Sequence, residues 1–148
     1  MYYYKRLIAL IAGILIVIVF AGAAALFVTP YDEWFTALET PALMTSQNLH
    51  SVLWFFVYLL IAIAISSTIV GKRNKREFIL WLVVIALSVV YTAFMFALRN
   101  PPLAALPLAL AAILGVILFF HDCTASRAVI ACWYIYLLAV QYGYIMLN

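Results

Sequence analysis

Charge is what this sequence has least of. Lys, Arg, Asp and Glu make up 9% of its 148 residues, and hydrophobic residues make up 70%. Soluble domains carry about 25% charged and roughly 45–50% apolar residues, so the chain is not a soluble domain. Cysteine is scarce, with Cys123 and Cys132 alone. If helix runs between them they stand about 13 Å apart, too far for a disulfide. The two histidines, His50 and His121, sit near opposite membrane faces and give no metal-ligand spacing, so His50 reads as an interfacial residue. Phosphate-loop, dinucleotide and zinc motifs are missing, and the expectation is a protein with no cofactor and no metal.

The charges that exist avoid five stretches: 7–28, 51–70, 78–98, 103–120 and 128–147, each 18 to 22 residues long. A hydrocarbon core of about 30 Å needs roughly 20 apolar residues as helix. Only helices and closed barrels satisfy their backbone in lipid, and these runs lack the alternation of a barrel. The sequence predicts an all-α integral membrane protein: one domain over 1–148, a bundle of five transmembrane helices with a long loop over 29–50. No carboxylate, Lys, Arg or His falls within the runs, which argues against a proton-coupled transporter.

A net charge of +3 does not point to nucleic acid, because of where it sits. Lys5, Arg6, Lys72, Arg73, Lys75, Arg76 and Arg127, the last in a short turn over 121–127 that joins the fourth and fifth runs, share one side of the membrane and only Arg99 lies on the other, with Asp32, Glu33 and Glu39. The positive-inside rule places the N-terminus in the cytoplasm, and the reading is a multi-pass protein of a bacterial cell membrane. A cleaved signal peptide is disfavoured, since the first run is longer than a usual signal core.

Small residues recur along two runs: Ala9 and Gly13 with "AGAAA" in the first, and Ala105, Ala109, Ala112, Ala111 and Gly115 in the fourth. They permit close helix approach within the bundle, across a homodimer seam, or both. Pro107 is expected to kink the fourth helix. Aromatics crowd the second, third and fifth runs. Tyr2, Tyr3, Tyr4, Trp81 and Tyr144 suit an interfacial belt, whereas Tyr91 and Trp133 lie deeper. Trp54 and Tyr58 share a helix face at i, i+4. Gln141, the one amide in any run, needs a partner away from lipid, either another helix or a ligand cavity.

The long first loop is the segment to explain, since most connections need only a few residues. Its "WFTALETP" (34–41), followed by "VLWFFVY" (52–58), resembles the translocator protein family, also called tryptophan-rich sensory proteins or peripheral benzodiazepine receptors. That pattern reads W-Y-x-x-L-x-K-P-x-W-x-P-P, then V-W-x-x-x-Y; Trp34, Phe35, Leu38, Pro41, Trp54 and Tyr58 fall on it. "ALSVVYTAFMFALR" (86–99) and "WYIYLLAVQ" (133–141) are similar to the family's third- and fifth-helix patterns. Thr40 replaces the loop lysine, Leu43 its inner tryptophan and Thr45–Ser46 its two prolines. Ser88, Tyr91 and Gln141 stand at the family's Asn, Trp and Asn.

The resemblance implies a homodimeric five-helix membrane receptor or binding protein for hydrophobic small molecules such as porphyrins or sterol-like compounds, in contact with membrane lipid. It implies a ligand pocket drawing on Trp34, Trp54, Tyr58, Ser88, Tyr91, Trp133 and Gln141, under a lid shaped by Pro41 and Leu38. A transporter of lipophilic solutes is the first alternative. A protoporphyrin-degrading enzyme using Trp54 and Trp133 is the second, and a structural subunit without a ligand the last. With an acidic loop and no lysine at 40, neutral or cationic ligands are expected over anionic ones, because like charges repel more strongly at lower dielectric.

Overall fold

The computed structural model describes residues 2–28, 33–44, 46–71 and 75–148, and helix is the only regular structure among them. The elements are α1 (Tyr2–Ala25), α2 (Glu33–Ala37), α3 (Gln47–Val70), α4 (Lys75–Thr92), α5 (Pro101–His121) and α6 (Ala125–Leu147). A π-helical turn over Ala93–Ala97 extends α4. Five of these helices are long and apolar enough to cross a membrane.

Each long helix begins before its apolar run does, because caps and not hydropathy set helix ends. Ser46 caps α3, its hydroxyl accepting from the Leu49 N–H at 3.4 Å, so α3 starts four residues before the uncharged run at Ser51. Asn100 caps α5 through the Leu103 N–H at 3.0 Å. Pro101 and Pro102 fill the first turn, where their missing N–H groups leave no bond unmade. Lys5 and Arg6 do not stop α1, since long basic side chains are good helix formers. Helix α5 runs on through Pro107. Within the segment expected as loop, α2 supplies one short helix; residues 29–32 and 45 of that segment, with Lys72 and Arg73, lie outside the described residues.

The helices pack most extensively in the pairs α5 on α6, α1 on α3 and α4 on α5. Small residues set two of these seams. A Cβ on Gly13 would stand 2.5 Å from the Ala62 carbonyl oxygen, so α1 lies against the α3 backbone there. Gly115 faces the Ala131 backbone across α5 and α6, where an added Cβ would lie 3.4 Å from the Ala131 Cα. The main core runs through Ile61, Ile65, Trp81, Val84, Ile85, Leu108 and Tyr134. In lipid such packing, not water exclusion, is what holds helices together.

Two readings of single residues are corrected by this packing. Trp81 is not in an interfacial belt: it is fully buried, on a side of α4 that turns inward beneath the Arg127 guanidinium. Arg127 is not a loop charge, since it lies within the first turn of α6 at 3% exposure. Its guanidinium bonds the Glu77 carboxylate of α4 and donates to the Leu118 carbonyl of α5 at 2.9 Å. Asp122 stands 3.5 Å away and the Trp81 ring centroid 5.8 Å. A charge buried this way persists only when paired, and the pair ties three helices together at one end of the bundle.

Candidate functional site

The opposite end of the bundle holds a cavity of about 390 Å³, within the size range of small-molecule sites. The up-and-down path of the helices brings four ends together there. Ala21, Ala24, Ala25 and Val28 line it from α1 and the residues that follow. His50, Ser51, Trp54 and Tyr58 line it from α3, and Tyr91, Thr92 and Phe96 from α4 and its π turn. Leu137, Val140 and Tyr144 complete the wall from α6, and Phe35, Thr36 and Met44 of the first connection close over them. Alanines on α1 leave the space; aromatic rings on the other helices border it.

The first connection is fixed onto α6 at several points. Phe35 packs at a tilt against Phe96 and Tyr144, with centroids 5.1 and 6.0 Å away. The Tyr136 hydroxyl donates to the Leu43 carbonyl at 3.0 Å. The Glu39 N–H donates to Asn148 Oδ1 at 2.9 Å, and Asn148 Nδ2 returns a bond to the Glu39 carbonyl at 3.2 Å. Pro41 is buried against Gly143: a Cβ there would come within 2.8 Å of the proline ring. Pro41 therefore docks at a point where α6 carries no side chain.

Of the residues singled out from sequence, Trp54, Tyr58 and Tyr91 border the cavity. Trp133 stands behind Trp54, edge-to-face at 5.6 Å, rather than in the wall. Trp34 and Leu38 pack on the cluster of Met95, Ala104, Val140 and Tyr144 that supports the connection from below. Ser88 shares a 2.6 Å hydrogen bond with the Tyr134 hydroxyl. Gln141 donates to the Pro101 carbonyl at 2.9 Å and lies 3.5 Å from the Met95 sulfur. Both polar groups thus join helices, which meets the need of a buried amide or hydroxyl for a partner.

Other wall residues escaped the sequence reading. Tyr144, expected in an interfacial belt, is buried beneath Phe35. His50 borders the cavity and accepts a hydrogen bond from the Trp54 indole N–H at 3.1 Å. Its spacing of four from Trp54 was a usable signal, since i and i+4 share a helix face. Phe96 carried no such signal: it lies within the π turn, which alters the helical phase, and the sequence does not announce that turn.

Comparison with known proteins supplies one finding. No curated protein matches the chain. The model of the TspO/MBR family, however, matches residues 11–147, nearly the whole sequence. The five membrane-length helices, the aromatic-walled cavity and this match agree, and the chain belongs to the TspO/MBR family, whose general role is ligand binding or transport in membranes.

Proposed function

We propose that this protein is a membrane receptor for flat hydrophobic small molecules, porphyrins among them, which bind in the cavity under the first connection. One observation carries the reading: Trp54, Tyr58, Tyr91 and Tyr144 border a space large enough for a ligand. Apolar clefts with a few polar groups are the usual form of small-molecule sites, and aromatic rings add stacking beyond area burial. Residues 33–44 serve as the lid, held by Phe35, Pro41, Tyr136 and Asn148. The charge bias supports an N-terminus in the cytoplasm, and the family resemblance supports a homodimer. A degradation role would rest on Trp54 and Trp133, but only Trp54 borders the cavity, which favours binding over catalysis.

Titration of the purified protein with protoporphyrin IX and its dimethyl ester, followed by tryptophan fluorescence, tests this. Saturable quenching is expected, weakened in Trp54→Phe. The ester should bind more tightly than the acid, because Glu33 and Glu39 lie in the lid segment and Thr40 stands where a lysine would otherwise meet a carboxylate. Non-saturable quenching with both compounds counts against the reading, as does unaltered quenching in Trp54→Phe.

A further inference from the structure

Trp54 does not stand in the cavity wall unsupported. Its indole Nε1–H donates to His50 Nε2 at 3.1 Å, one helical turn back along α3. The imidazole is packed in turn against Trp133, with ring centroids 5.4 Å apart, and Trp133 meets Trp54 edge-to-face at 5.6 Å. Three rings from two helices therefore brace one another, with His50 as the member that makes the directional bond. Accepting through Nε2 leaves the imidazole proton on Nδ1 in the neutral ring, and Nδ1 is buried without a hydrogen-bond partner among the described residues. Leaving a buried donor unpaired is costly, so this ring position is not one that polar satisfaction alone would select.

We propose that His50 is a positioning residue for ligand recognition: it takes up the Trp54 indole N–H and thereby fixes which surface of Trp54 the cavity offers. This rests on the cavity being the ligand site. With its only polar group engaged by His50, Trp54 has no donor for a ligand's oxygen or nitrogen and meets the ligand through its π system. Contact of that kind selects flat aromatic molecules, whose attraction depends on ring geometry, over alicyclic molecules of similar size and apolarity. It also tolerates variation in the polar groups at a macrocycle's edge. His50 thus biases the cavity toward aromatic ligands through the face of Trp54 that it presents.

The test compares His50→Phe, which keeps a ring but accepts no hydrogen bond, with His50→Gln, which restores an acceptor. Two readouts are needed. Indole ¹H–¹⁵N resonances in detergent micelles, assigned through Trp54→Phe, report the Trp54 bond without any ligand. Fluorescence titrations with protoporphyrin IX dimethyl ester and with cholesterol report recognition. His50→Phe should move the Trp54 indole proton upfield and weaken ester binding severalfold, with cholesterol affinity changed less than twofold. His50→Gln should recover most of both effects. An unmoved indole resonance in His50→Phe overturns the positioning role. Equal losses in His50→Phe and His50→Gln, or equal losses for ester and cholesterol, show that the imidazole only fills space. If the unaltered protein binds neither probe, the cavity reading fails and the recognition role with it, while the indole resonance still decides the Trp54 bond.

Discussion

Replacing Arg127 by methionine removes one half of a deeply buried ion pair. The guanidinium and the Glu77 carboxylate are each 3% exposed, so neither has bulk water to fall back on. Without Arg127 the carboxylate keeps, among the described residues, His121, whose Nδ1 lies 3.7 Å away on a largely exposed ring. The Leu118 carbonyl near the end of α5 loses its donor as well, and helix-end carbonyls have no intrahelical partner of their own. Stranding one charge of a buried pair costs about 3–5 kcal/mol. Removing both charges together is far milder, because apolar pairs of similar volume are commonly neutral or better. The expectation is that Arg127→Met loses about 3–5 kcal/mol and that Glu77→Leu combined with Arg127→Met recovers most of it. Reversible unfolding in mixed micelles, followed by circular dichroism, measures both, and Trp81 beside the guanidinium is a local reporter. A single-variant loss below about 1 kcal/mol would refute the reasoning, as would a double variant no more stable than the single.

Gly13→Ala should destabilise the bundle by roughly 1–3 kcal/mol through overpacking, because its Cβ would meet the α3 backbone at Ala62. Gly22→Ala, with open space around its added Cβ, should be neutral or slightly stabilising in the same unfolding assay. Gly143→Ala should lift the first connection, since Pro41 lies in the way of the new methyl group. Faster cleavage within residues 38–44 by an added protease, at unchanged helix content, would register it. Asn148→Ala removes the two bonds to Glu39 and should act in the same direction but more weakly, as each is solvent-exposed. Protease sensitivity equal to that of the unaltered protein in both variants would show that the connection is held elsewhere.

Residue type and order alone determined that five helices are long and apolar enough to cross a membrane, because charges cost too much in lipid to be placed at random. They also determined the family, through Trp34, Pro41, Trp54, Tyr58 and Trp133 at fixed spacings, and they brought Trp54, Tyr58 and Tyr91 forward as cavity candidates. The rotational phase of the helices was not legible. A soluble helix reveals its inner face by an apolar stripe, but these helices are apolar all round, so lipid-facing and inward residues look alike. For that reason Trp81 read as an interfacial ring and Arg127 as a loop charge, although both are buried against each other. For the same reason His50 read as interfacial, although it grips Trp54 at the cavity. Gln141 left two roles open in sequence, and the packing of α6 against the start of α5 gave its amide the Pro101 carbonyl. Only the tertiary structure decided which faces meet, since helix seams in lipid follow from steric fit between backbones, as at Gly13 and Gly115, and steric fit is a property of pairs of helices that no single run encodes.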